Sequence, residues 1–73
     1  MNSHFQEIGS RIRAARDCNG LSQSHVAEIA GVDRTYIGKI ERGEVNFSVG
    51  ILIAIADALD VRPSELLGDK NGG

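Results

Sequence analysis

Phe5, Ile8, Ile12 and Ala15 recur three and four residues apart, which places them on one face of a helix and predicts that helix over residues 5–18. Ser3 is placed to cap it, with Gln6 three residues later as in a capping box, and Met1 to His4 read as a frayed lead. Asn19-Gly20 closes it, because glycine enters the left-handed region without a Cβ penalty. Ser22 opens a second helix whose inward side is Val26, Ala27, Ile29 and Ala30, and Gly31 stops it. Asp33 caps a third helix, Arg34 to about Arg42, with Ile37 and Ile40 inward and Gly43 at its end. Residues 44–47 read as a loop. Ser48 caps a fourth helix, Val49 to Leu59, and Asp60, Val61 and Arg62 lead on from it. A last short helix, Ser64 to Leu67, follows with Pro63 at or near its start and Gly68 at its end. Residues 69–73 read as a disordered tail.

Only Gly31, Val32 and Asp33 separate the second helix from the third. Two short capped helices joined by a three-residue link that contains glycine form a helix-turn-helix pattern, with Val32 as the apolar plug under the turn. The second helix has about two turns, too few to persist alone, so its neighbours must hold it. The fourth helix is apolar almost all round, since Ile51 to Ala56 is an unbroken run of Ile, Leu and Ala. A chain this short cannot enclose a helix on every side. A symmetric dimer burying Ile51, Ala54, Ala58 and Leu67 is therefore expected.

Composition narrows the reading. The 73 residues allow one domain, with an ordered core over about 5–67. A domain near 60 residues buries only about 60% of the surface of its unfolded chain, so packing has little margin. Hydrophobic residues make up 41% of the chain and aromatic ones 4%, so the core must be aliphatic. The net charge of −2 argues mildly against a nucleic-acid ligand. Its distribution argues the other way, because the third helix sets Arg34, Lys39 and Arg42 against Glu41 alone.

Several classes fall away. One cysteine, Cys18, forms no internal disulfide, and with His4 and His25 far apart there is no metal set and no cofactor motif. The N-terminus lacks the basic flank and apolar run of a signal peptide, and the longest apolar run is far below the ~20 residues of a membrane helix. A cytoplasmic protein is expected. Ser24 beside His25 is not a catalytic pair, since neighbours on a helix point about 100° apart. No phosphate-binding or dinucleotide glycine pattern is present, so an enzyme is not expected.

Residues 22–43, SQSHVAEIAGVDRTYIGKIERG, resemble the phage Cro and repressor family of helix-turn-helix domains, also called Xre-like. The likeness extends outward through Ile12-Arg13 and Arg16, Gly20-Leu21-Ser22-Gln23, and Asn46, Leu52, Ala56, Leu59 and Val61, and covers about residues 5–67. Asp33 to Ile37, with Glu41-Arg42-Gly43 and Asn46, is further similar to the controller proteins of restriction–modification systems. Those are short dimeric regulators on pseudo-symmetric operators. Ser24-His25, Phe47, Gly50 and Lys39 depart from residues common at their positions.

The resemblance implies an all-α, compact five-helix, lambda-repressor-like fold and a duplex DNA partner. It places Arg34, Thr35 and Lys39, with Tyr36 alongside, at base edges in the major groove. It assigns Gln23 to a phosphate, with Ser22, Arg42, Asn46 and Ser48 as further phosphate candidates. It pairs Arg16 with Glu41 in a buried or half-buried salt bridge. The residues support the first assignment independently, because an inward Ile37 and Ile40 leave Arg34, Thr35, Gly38 and Lys39 outside. Gly38 would let the helix lie close to the groove wall. Tyr36 either meets a phosphate or only packs, while for Gln23, Arg34 and Lys39 an ordinary solvated helix surface is the lesser alternative. A rival use of the fold is a protein-interaction module of antitoxin or adaptor type, with the apolar fourth helix as its contact.

Overall fold

A computed structural model of the chain describes residues 3–68. Over these residues the chain forms five helices: α1 (Ser3–Cys18), α2 (Gln23–Ala30), α3 (Arg34–Glu41), α4 (Val49–Leu59) and α5 (Pro63–Leu67). Their starts have local causes. Ser22, Asp33 and Ser48 stand in extended backbone before α2, α3 and α4. Their side-chain oxygens accept from the N–H of His25 at 3.0 Å, Thr35 at 2.9 Å and Ile51 at 3.1 Å. Those N–H groups have no partner within their helices.

The exits are equally specific. Gly31 leaves α2 at φ 76°, and the Val32 N–H then donates to the Ala27 carbonyl at 3.0 Å. This closure redirects the chain into α3 within three residues and presses Val32 against the core. The exit from α4 is made by Asp60 at φ 58°, a left-handed residue that is not glycine. Such a conformation costs roughly 1–2 kcal/mol. The Val61 N–H donating to the Ala56 carbonyl at 3.0 Å helps offset it.

All five helices feed one core. Ile12 from α1, Val26 and Ala27 from α2, Ile37 and Ile40 from α3, Leu52, Ile55, Ala56 and Leu59 from α4, and Leu66 from α5 are buried together. No aromatic side chain is among them. The two phenylalanines instead meet edge to face at the rim, Phe5 against Phe47, with ring centroids 4.9 Å apart and planes at 84°. That contact fastens the start of α1 to the loop before α4. No helix of the described residues is long and apolar enough to cross a membrane.

Four expectations are corrected. The described part of α1 takes in Ser3 and His4, so Ser3 stands within the helix and not as a cap before Phe5, and His4 is not in a frayed lead. Ile29 faces outward and is exposed, because Val26, Ala27 and Ala30 already fill the inward side of α2. Gly38 is buried, covered by the side chains of Gln23 and Arg42. α5 begins at Pro63, one residue early. Met1, Asn2 and the expected tail at 69–73 lie outside the described residues.

α1 approaches α3 through Gly9. A Cβ placed there would overlap the Ile40 carbonyl oxygen and stand 2.8 Å from that of Glu41. Both obstacles are backbone and cannot swing aside. Gly9→Ala is therefore expected to lower stability by about 1–3 kcal/mol, despite the better helix propensity of alanine. A thermal melt should show it as a fall of several degrees in Tm.

Candidate nucleic-acid interface

α3 carries two opposed faces. Ile37 and Ile40 are fully buried, whereas Arg34, Thr35 and Lys39 are exposed on the other side. The cations differ in how they are held. Arg11 pairs with Glu7, Arg13 with Asp17, Arg16 with Glu41, Arg42 with Glu44 and Arg62 with Glu65. Among the described residues, Arg34 and Lys39 alone have no carboxylate within 4.0 Å. The local positive charge expected from sequence thus comes down to two adjacent turns of one short helix.

Behind that face lies a charged pair that is mostly out of solvent. Glu41 is 7% exposed and is the buried ionisable residue among those described. Arg16 meets it as a fork, Nε to Oε2 at 2.7 Å and Nη2 to Oε1 at 3.0 Å. The third guanidinium nitrogen, Nη1, donates to the Leu21 carbonyl at 2.9 Å and lies 3.5 Å from Asp17. Gln23 adds a donor from the start of α2, Nε2 to Glu41 Oε1 at 3.0 Å. The hydrogen bond to Glu41 holds the Arg16 guanidinium above its ordinary pKa, against the opposing effect of burial. The cluster therefore ties α1, the turn after it, α2 and α3 at one point. The Arg16–Glu41 pair expected from resemblance is present in the structure.

The remaining candidates fall around α3. Ser22 and Ser48 each use a lone pair for capping, and each hydroxyl hydrogen stays available to an acceptor. Tyr36 is half-buried and donates its hydroxyl to the Asn46 carbonyl at 3.2 Å, which pins the loop before α4. Of its two readings, packing is the one this geometry favours. The Asn46 side chain is on the surface. Gln23 is engaged by Glu41 rather than standing free, so its role in the folded chain is at least partly structural.

Arg42 is exposed but occupied, with Nε 2.9 Å and Nη2 3.2 Å from the two oxygens of Glu44. That partner was missed in sequence. The signal was Gly43, whose φ of 73° turns the chain so that the Glu44 N–H donates back to the Lys39 carbonyl at 2.9 Å. The Arg42 hydrogen bond holds the Glu44 carboxyl below the usual carboxylate range, with Lys39 adding to the effect.

The surface proposed for a second copy is also redistributed. Ile51 and Ala58 are half-buried and packed on the core, and Ala54 is half-buried. Leu67 is 55% exposed, and with it stand Val49 at 72% and Ile53 at 44%, which sequence reasoning did not single out. At 100° per residue, Val49 and Ile53 share a flank of α4 away from Ile51 and Ala58. Next to Val49 and Leu67 a cleft of about 180 Å³ opens between α1, α4 and α5, lined also by Phe5, Ile8, Phe47 and Leu52.

Comparisons with known proteins agree with this architecture. A helix-turn-helix family model matches residues 12–66. The control protein C.SmaI of Serratia marcescens is 43% identical over 60 residues, which span 82% of this chain and 71% of that protein. The restriction-modification controller protein C.AhdI of Aeromonas hydrophila superposes with a TM-score of 0.86 at 40% identity, covering 89% of this chain and 98% of that one. The DNA-binding domain of the P22 c2 repressor gives a TM-score of 0.82 at 36% identity, covering 94% and 90%. Two other curated relatives are longer, and the chain spans 44% and 59% of their lengths.

Removing one member of a buried ion pair strands the other, at a cost of roughly 3–5 kcal/mol. Arg16→Ala should therefore fail through unfolding, although it would look like the loss of a ligand contact. A far-UV melt is expected to show a large drop in Tm. A variant as stable as the parent would contradict the structural role.

Proposed function

As the chain belongs to the Xre- and Cro-like helix-turn-helix family, we propose that it is a transcriptional regulator that binds a pseudo-palindromic duplex operator as a homodimer. The observation that carries this reading is the pair of unpaired cations, Arg34 and Lys39, on the exposed face of α3 in a chain whose other described arginines are all matched with carboxylates. A helix of this width fits the major groove, which is about 12 Å across.

In this reading Arg34 presents its planar fork to guanine O6 and N7. Thr35 offers a hydroxyl and a methyl, the methyl suited to that of thymine. Lys39, just over one turn on, reaches a guanine or a phosphate. Gln23, Ser22, Asn46, Ser48 and Arg42 fix the frame on phosphates, aided by the free N–H groups at the start of α2. Dimerisation is supported by the exposed Val49 and Ile53, on the flank of α4 away from Ile51 and Ala58, and by the exposed Leu67 of α5. Burying such a patch against its twin removes it from water and doubles the cations facing DNA. Two recognition helices would then address half-sites about 34–36 Å apart. A DNA-bound role places the protein in the cytoplasm. The likeness to C.SmaI and C.AhdI supports control of restriction–modification genes as the setting.

Selection from random duplexes is the direct test. The parent chain should return a two-fold symmetric motif, and Arg34→Ala should lose preference at one guanine in each half-site, worth about 1–3 kcal/mol. An unchanged motif would contradict the role of Arg34. Recovery of no motif would favour the protein-interaction module instead. Gln23→Ala should weaken all duplexes about evenly, and it should also lower Tm because its amide supports Glu41. Sedimentation should show a dimer at micromolar concentration without DNA, and a monomer would count against the interface.

A further inference from the structure

The Arg42–Glu44 pair places an acid beside the cations of α3. We propose that Glu44 competes with DNA phosphate for Arg42, so that the free protein carries an internal stand-in for the phosphate and its DNA affinity is held down. This rests on the DNA-binding reading above. A carboxylate offers the guanidinium the same two-oxygen edge that a phosphate does, and the fork seen here, at 2.9 and 3.2 Å, is of that type.

Three features make the contact a competitor and not a support. First, the guanidinium lies over Gly38, where a Cβ would come within 3.2 Å of Arg42 Nη1 and 3.6 Å of Gln23 Oε1. It therefore sits beside Gln23, among the side chains assigned to phosphates. Second, Glu44 is placed by its own backbone, through the left-handed Gly43 and the hydrogen bond to the Lys39 carbonyl. It stays near α3 whether or not Arg42 leaves. Third, both side chains are more than half exposed, at 57% and 51%. Exposed pairs are weak, so the fork opens readily when a better anion arrives. Once Arg42 turns to a phosphate, Glu44 is left unpaired near the DNA backbone, and that cost is set against binding.

The test is a double-mutant cycle on the full chain, with affinity measured for its selected operator and for a random-sequence duplex. Glu44→Gln is expected to tighten both by about 1.5-fold to fivefold, the range an exposed pair allows. The same substitution made on Arg42→Gln should tighten binding by clearly less, because no guanidinium remains to be released. Equal gains in the two backgrounds would make Glu44 a general repulsive charge and overturn the competition. Weaker or unchanged binding by Glu44→Gln would overturn it as well. If the parent chain binds no duplex, the DNA-binding reading itself fails. If it binds and the cycle shows no coupling, only this proposal fails. Melts of the three variants should lie near that of the parent, as expected for exposed positions.

Discussion

The orientation of α3 depends on the forked pair between Arg16 and Glu41. Helices of eight residues do not persist alone, and α2 and α3 are both that length. Apolar packing of Ile37 and Ile40 decides which side of α3 faces inward, but hydrophobic contact is not directional. The ion pair supplies direction. Its two parallel bonds set α1 against the end of α3, and Gln23 and the Leu21 carbonyl extend the same network to α2 and the turn before it. Every buried side-chain nitrogen and oxygen among the described residues has a partner, which is the condition under which a buried charge is tolerable.

The same pairing logic explains how an acidic chain presents a cationic surface. Carboxylates neutralise the arginines of α1, the end of α3 and α5, and none reaches Arg34 or Lys39. Net charge therefore says little about this protein, and the placement of acids says a great deal. Glu41 would sit badly near a polyanion were it exposed. Burial against Arg16 removes it from that face while leaving the neighbouring cations outside.

Apolar side chains show the complementary arrangement. The core is aliphatic and shared among all five helices, yet α4 and α5 keep Val49, Ile53 and Leu67 in water beside an apolar cleft. A small domain has little surface to spare for such exposure. The surplus lies on helices other than α3, so a second copy could cover it and leave the cationic face free.

The amino-acid sequence by itself determined most of the helix limits, because these rest on local chemistry: the oxygens of Ser22, Asp33 and Ser48 reach N–H groups two or three residues on, and Gly31 takes its left-handed turn without a Cβ. Periodicity likewise settled which side of α3 is inward. Asp60 escaped that reading, since a left-handed aspartate has no strong local signature. What only the tertiary structure decided involves side chains far apart in the chain or long enough to choose among partners. Gly38 looked like surface until Gln23 and Arg42 were seen to cover it. Ile29 looked like core until the inward side of α2 proved already full. Arg42 looked free until the turn at Gly43 brought Glu44 back beside it. Short-range hydrogen bonds are written in neighbouring residues, whereas burial and the choice of ionic partner depend on distances that exist only once the helices have packed.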